Sequence, residues 1–445
     1  MCWNPKYALL LAAATLIAYF GGIYLEQKEK KKIYLTLVLL IVFSALIYFK
    51  YTNFLAAQIN HVLGLVSEKQ IDRFDIVLPV GISFFTFQAA GYLIDVYKGE
   101  TKAERNLIRF ALFISFFPQL VAGPIERSKN LLGQFDKPKP FNPNRIFHGL
   151  VIMLWGLFLK IVIADSCALI ADHCFKKYLE LTGVQLIIGA CAFSVQIYCD
   201  FMGYSTIARG SAKVLGINLT DNFRMPYFSS SIKEFWRRWH ISLSYWLRDY
   251  LYIPLGGSKG GKLLTYRNLL ITFLISGLWH GAGWNYVCWG GLHALYIIIG
   301  EQLKTFNQRS LRFFKINPNS VSFIVFKRIY VYFLVVFAWI FFRSKNVGAA
   351  LTYINRCLNL NNIGLVFSDN ISKMAIGINQ RSFNILLFSL AILFCVSFIR
   401  ETKKDAYIFF AKQAPVFRLL FCWLLVFLII ISSSLSKKEF IYFQF

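Results

Sequence analysis

Thirty-three consecutive residues, Asn268 to Gly300, contain no Lys, Arg, Asp or Glu. A run of that length needs a bilayer or the inside of a helix bundle around it, because about 20 apolar residues in helical form cross a hydrocarbon core of about 30 Å. Eight further segments are long and predominantly apolar: Tyr7 to Leu25, Ile33 to Tyr51, Ile76 to Tyr97, Ile146 to Ala164, Val184 to Tyr198, Ile329 to Phe342, Asn384 to Ile399 and Leu419 to Ile431. Within the uncharged run, Gly281-Ala282-Gly283 divides two spans or the arms of a broken hairpin. The expectation is an all-α integral membrane protein with about ten transmembrane helices. Composition excludes the soluble alternative, since 57% of the 445 residues are apolar and 16% charged, against about 25% charged in soluble domains. No stretch is left for a separate soluble domain, and residues 1–445 read as a single transmembrane domain.

The charge balance is +26, from 48 Lys and Arg against 22 Asp and Glu, and it falls largely in short connections between apolar runs. That distribution fits the positive-inside bias and attraction to anionic membrane lipids, not nucleic-acid binding. The first apolar run is too long for a signal-peptide core and is followed by Lys28, Lys30, Lys31 and Lys32, which reads as a retained helix with a cytoplasmic stop. The chain is therefore expected in the cell (inner, cytoplasmic) membrane as a multi-pass protein with its N-terminus outside. Labelling with an impermeant thiol reagent tests this: a cysteine placed at residue 4 should react from outside and one at residue 30 should not. The reverse pattern would overturn the orientation. The nine cysteines form no C-x-x-C pair, so neither a disulfide framework nor a metal site is indicated.

Two stretches are apolar yet too short or too polar to cross: Leu107 to Pro124, and Ile232 to Ile253 with Arg237, Arg238, Arg248 and Asp249. Charge and irregular backbone at membrane depth survive where protein or a water-filled cavity surrounds them. Both are expected as re-entrant or in-plane helices around a central cavity.

Three of the six histidines, His240, His280 and His293, fall within 54 residues. His280 lies in Gly277-Leu-Trp-His280-Gly-Ala-Gly-Trp284, where glycines permit close backbone approach and a turn. Burial disfavours a charged imidazole, and a neutral one is what a general base requires. The other reading of His280 is a hydrogen-bonded packing residue. His240 lies in Lys233-Glu-Phe-Trp-Arg-Arg-Trp-His240-Ile-Ser-Leu-Ser244, expected as one amphipathic helix with Trp236 and Ser244 as neighbours one turn away. That helix is either an interfacial anchor or a cavity wall whose Arg237 and Arg238 meet an anionic group. His293 reads as packed. Asp200, inside Tyr198-Cys-Asp200-Phe-Met-Gly-Tyr204, needs a buried partner and is open between orienting a substrate and a structural hydrogen bond. Asp95 and Glu301 read as helix-end charges. The string Gly256 to Lys262 has the spacing of a phosphate-binding loop, but Leu263 stands where Ser or Thr would hold magnesium and no strand precedes it. No Ser, His and Asp set can be proposed by spacing.

Taken in order, several segments resemble one family, the membrane-bound O-acyltransferases (MBOAT), and within it the alginate O-acetyltransferase, AlgI-like, branch. They are Leu78-Pro-Val-Gly-Ile-Ser-Phe-Phe-Thr-Phe87 with Tyr92-Leu-Ile-Asp95, Phe116-Phe-Pro-Gln-Leu-Val-Ala-Gly-Pro-Ile-Glu-Arg127 and Tyr198-Cys-Asp-Phe-Met-Gly-Tyr-Ser205. Phe223-Arg-Met-Pro-Tyr227, Phe235-Trp-Arg-Arg-Trp-His-Ile-Ser-Leu-Ser244, Gly277-Leu-Trp-His-Gly281 and Trp339-Ile-Phe-Phe-Arg343 follow. The resemblance implies a multi-pass enzyme that moves an acyl group, usually acetyl, onto hydroxyls of an extracytoplasmic glycan. It maps the family's histidine onto His280 and a second polar position onto His240. His280 would be the general base; His240 would orient a group or stabilise developing charge. Arg237 and Arg238, with Asp200, are the substrate-binding candidates. The donor implied is acetyl-coenzyme A or another activated acyl carrier, with no bound cofactor. The partners implied are the glycan acceptor and a periplasmic or extracellular protein of acyltransferase or esterase type. D-alanyl transferases of teichoic acid are similar too, but Phe117-Pro-Gln-Leu-Val-Ala-Gly-Pro124 looks more like the alginate branch. Relatives carry a further apolar segment before Trp3-Asn-Pro-Lys-Tyr7, so a mis-set start codon or a truncated first helix is expected here. From a different class, a transporter or flippase of acyl or glycan intermediates would line a pathway with the same histidines; it would show internal repeats, and none is found.

Overall fold

A computed structural model describes residues 6–27, 31–64, 70–121, 123–136, 138–360, 374–403, 406–433 and 440. The readings made on residues 1–5, on Lys28 and Lys30 and on Ala122 lie outside these. Among the described residues there are helices and no strand. Helices α1 (Lys6–Gln27) and α2 (Lys31–Leu63) pack with α3 (Ile82–Tyr97). The short α4 (Leu107–Ser115), α5 (Phe117–Leu120) and α6 (Ser128–Leu131) follow. Next, α7 (Pro143–Leu157) continues through a π-helical segment, Phe158–Ala164, into α8 (Asp165–Lys176). Against it α9 (Gly183–Val214) returns antiparallel, Gly149 facing Gly210 and Gly156 facing Gly203 so closely that a Cβ on either helix would meet the other's backbone. Such small-residue contacts let two helices approach at backbone distance.

The middle of the chain folds as α10 (Ile232–Arg238), α11 (Ile241–Leu247) with a π-helical turn at Arg248–Tyr252, and a hairpin of α12 (Gly261–His280) and α13 (Trp284–Gln302). The remaining helices are α14 (Lys304–Phe313), α15 (Val321–Arg343), α16 (Val347–Cys357), α17 (Gln380–Lys403), α18 (Ala406–Ala411) and α19 (Pro415–Ser433).

Seven helical stretches among the described residues are long and apolar enough to cross a membrane: Tyr7–Gln27, Lys31–Leu63, Pro143–Lys176, Gly183–Val214, Val321–Arg343, Gln380–Thr402 and Pro415–Ser433. Their outer faces carry exposed Leu37, Leu40, Ile41, Phe333, Phe394, Leu420 and Trp423, a coat that only lipid can cover at this density. The three other spans expected from sequence have a different character. Thirteen of the 16 residues of α3 are buried, so α3 faces protein rather than lipid. The α12–α13 hairpin buries Asn268, Thr272, Ser276, His280, Asn285 and His293, polar groups that belong inside a bundle. The two marginal stretches are broken into helices of four to nine residues, packed among the long ones.

Candidate active site: two histidines at helix ends

Helix α12 stops at His280 because Gly281 turns to extended backbone. A Cβ on Gly277 would fall on the Tyr286 carbonyl oxygen and one on Gly290 on the Phe273 carbonyl oxygen, so the two arms of the hairpin touch backbone to backbone. Neither contact can relax by moving a side chain. Gly290→Ala should therefore lower the melting temperature by the equivalent of about 1–3 kcal/mol; an unchanged melting curve would show that the hairpin is looser than this.

The last carbonyls of a helix have no partners inside it and carry partial negative charge. Here they are met by α2. Lys50 Nζ donates to the carbonyls of Trp279 (2.5 Å) and His280 (3.0 Å), and Tyr51 Oη donates to that of Leu278 (2.8 Å). The main chain of His280 is thereby fixed by a cation and a phenol from a helix more than 200 residues earlier in sequence. The sequence reading ended this span at Tyr51 and assigned Lys50 no role. In the structure α2 runs on to Leu63, with Asn53 and Asn60 tying its extension to Phe74 and Ile71, so Lys50 sits inside the bundle.

His240 corrects a second expectation. The stretch Lys233 to Ser244 is not one helix: α10 ends at Arg238, α11 begins at Ile241, and His240 between them is left-handed at φ 41°. That conformation costs a residue with a Cβ roughly 1–2 kcal/mol, and Asn222 holds it. The Asn222 carbonyl accepts from the Ile241 N–H (3.0 Å). Its side-chain oxygen accepts from the N–H and hydroxyl of Ser242 (3.1 and 2.7 Å), and its amide donates to Ser205 (3.2 Å). The Ser242 hydroxyl in turn accepts from the Ile125 N–H (3.0 Å).

The kink turns the imidazole inward instead of along an amphipathic face. His240 is 0% exposed and His280 3%, and their ring centres are 6.4 Å apart. One oxygen can bridge that gap, since a hydrogen bond to each ring spans roughly 3 Å. Trp279, Trp289 and Phe342 pack edge-on around His280 at 4.8 to 5.3 Å, and Phe201 does the same to His240 at 4.5 Å. Two imidazoles in an apolar wall can accept a proton and donate a hydrogen bond to the same reacting group. The structure also gathers the segments that carried the resemblance. Trp246 donates to the Phe87 carbonyl and stacks on its ring, Tyr250 donates to Asp95, Arg127 pairs with Asp249, and Trp339 stacks on Trp289.

The other candidates sit apart from the pair. Asp200 is 2.8 Å from Lys160, which also holds Asp165 at 2.8 Å; the π-helical segment presents Lys160 between the two carboxylates. Arg238 is matched by Glu234 and Glu401 at 2.6 Å each, tying α10 to α17. Arg237 is exposed and pairs with no carboxylate among the described residues. His293 accepts from Trp236 Nε1 (3.2 Å) inside an aromatic cluster. Lys50, Tyr51 and Asn222 were missed. For Lys50 a signal existed, a cation within an apolar run, whereas Asn222 is an ordinary loop residue until the fold brings it to the kink. The sequence reading held that no Gly-x-Ser-x-Gly string occurs, yet Gly256 to Gly260 has that spacing; it forms a turn after a π-helical segment, with Ser258 against the Tyr252 hydroxyl at 2.8 Å, and is not a nucleophile elbow.

Comparison with known proteins adds an independent line. The family model for membrane-bound O-acyltransferases matches residues 101–342. The chain is 40% identical over 352 residues to a Pseudomonas syringae pv. tomato protein named "Probable alginate O-acetylase AlgI", covering 78% of this chain and 65% of that protein. It is 33% identical to the peptidoglycan O-acetyltransferase of Helicobacter pylori over 100% of this chain and 89% of that one. Identity to the teichoic acid D-alanyltransferase of Streptococcus thermophilus is 30%, over 50% of this chain and 56% of that protein. The alignment thus spans just under two thirds of the Pseudomonas syringae relative.

Proposed function

Because the chain belongs to the membrane-bound O-acyltransferase family, we propose that it transfers an acyl group, acetyl in the first instance, to hydroxyls of a cell-envelope polysaccharide outside the cytoplasmic membrane. The observation that carries this reading is the buried pair His240 and His280, 6.4 Å apart at the end of the uncharged hairpin. His280 takes the proton of the acceptor hydroxyl as its oxygen attacks the thioester carbonyl. The N–H of His240 donates to the carbonyl oxygen as negative charge builds there. When the carbon–sulfur bond breaks, the leaving thiolate recovers the proton from His280, so the protein ends unchanged. The donor is acetyl-coenzyme A or another activated acyl carrier.

Names of relatives support the acceptor class: alginate for the Pseudomonas protein, peptidoglycan for the Helicobacter one. A periplasmic or extracellular partner of acyltransferase or esterase type would receive or deliver the group. The test is transfer of labelled acetyl from acetyl-coenzyme A to alginate or peptidoglycan fragments by the full chain in lipid nanodiscs. Ester formation supports the proposal. Absence of transfer, with acyl or glycan crossing sealed vesicles instead, would replace it with a transporter.

Arg237 and Arg238 divide the expectation about the donor. Arg238 is engaged by two carboxylates, and Arg237 is open to an anion. Arg237→Gln should raise the apparent donor KM by about 3- to 10-fold with little change in melting. Arg238→Gln should lower the melting temperature by releasing Glu234 and Glu401. If neither variant changes KM, the donor's anion binds elsewhere.

A further inference from the structure

A cavity of about 440 Å³ lies between α7, α9, α17, α18 and α19, lined by neither histidine of the pair, and its two ends differ in chemistry. One end is cationic: Arg209 and Arg400 grip the two oxygens of Asp221 at 2.7 and 2.5 Å, and Lys213 stands one turn from Arg209, holding Asn218 at 3.0 Å. Among the described lining residues, three cations face a single carboxylate, a balance of +2. The rest of the wall is apolar and aromatic, with Trp155, Leu393, Phe421 and Leu425. Contacts run from the cationic end to the last turn of α1. Asn218 is bonded to Gln134 (2.8 Å), Asp136 pairs with Arg109, and Arg105 pairs with Glu26 at the end of α1. Arg209 and Lys213 fall in the last two turns of α9 and Arg400 in the last turn of α17, where membrane-length helices end near headgroups, while Trp155, Leu393, Phe421 and Leu425 lie further along their helices.

Partly buried cations in excess over carboxylates are costly beside hydrocarbon unless an anion joins them. An aqueous anion would meet the charge but leave the aromatic wall uncovered. A hydrocarbon chain would do the opposite. The volume lies in the range of about 300–1,000 Å³ typical of ligand pockets. We infer that this cavity is a binding site for an anionic membrane phospholipid, its phosphate at Arg209, Lys213 and Arg400 and an acyl chain between α7, α17 and α19.

The full chain, purified in detergent and offered phosphatidylglycerol or phosphatidylcholine, should retain the anionic lipid in native mass spectrometry and melt higher with it. Arg209 and Arg400 also hold Asp221, so replacing them risks the fold; Lys213→Gln leaves both ion pairs in place and should weaken phosphatidylglycerol retention by about 5-fold. Val396→Trp, placed on the apolar wall, should abolish retention while the cationic end stays intact. Equal retention of both lipids, or unchanged retention in both variants, would overturn the inference. Equal stabilisation by glycerol phosphate lacking a chain would also overturn it, marking a soluble-anion site instead.

Discussion

His280→Ala is expected to lose acyl transfer by about 10²- to 10⁴-fold, the contribution of a positioned general base. The loss should appear in kcat more than in the KM of either substrate, because proton removal belongs to the transition state. The fold should survive. What holds this end of α12 is main-chain chemistry: the Lys50 and Tyr51 bonds to the carbonyls of residues 278–280 and the contact of Gly277 and Gly290 with the opposite arm. None of these uses the imidazole. The decisive measurement pairs a melting curve with the labelled-acetyl assay on the same nanodisc preparation. Wild-type turnover in a folded His280→Ala protein would remove it as the base; collapse of the melting transition would mark it as a packing residue, the other reading that its sequence allowed.

The long lipid-facing helices were legible because their signal is one-dimensional: a run of apolar residues bounded by charge has few other fates. Boundaries were less so. The span expected to end at Tyr51 runs to Leu63, because Thr52 to Leu63 contains no helix breaker and the Asn53 and Asn60 side chains stitch the extension to residues 71–74. Interior helices such as α3 and the α12–α13 hairpin read as spans from composition, yet their buried Gln88, Asp95, Asn268 and Asn285 tell of neighbours that a single sequence does not name.

The chemistry at the site was legible as residue types and unreadable as geometry. Glycines beside His280 announced close approach, and Gly277 and Gly290 make it. A partner for Asp200 was required by burial, but that Lys160 supplies it as an ion pair depends on a π-helical segment, which no local pattern announces. The break at His240 was hidden for the opposite reason. Ile232 to Leu247 has no proline or glycine, so local propensity favours one helix, and the left-handed turn exists because Asn222 and Ser242, distant or silent in the pattern, outweigh that preference with several buried hydrogen bonds.

That turn makes His240 the place where backbone and chemistry can be separated. His240→Ala removes the imidazole but keeps a Cβ in the left-handed region, whereas His240→Gly removes both. The glycine variant should therefore be the more stable of the two, by up to about 1 kcal/mol once glycine's extra unfolded-state entropy is set against the relieved strain, although glycine is ordinarily the poorer residue beside helices. Both should lose transfer by about 10²- to 10³-fold if the ring stabilises the developing oxyanion, less than the most severe losses expected at His280. His240→Asn completes the series, since asparagine tolerates the left-handed conformation and carries an N–H donor. If His240 acts by donating a hydrogen bond, the asparagine variant should recover part of the rate that glycine loses; if it accepts a proton, the two should be equally inactive. A His240 series that costs more than His280→Ala in the same assay would exchange the roles of the two histidines, and an alanine variant more stable than the glycine one would show that the kink is not held in the strained form described.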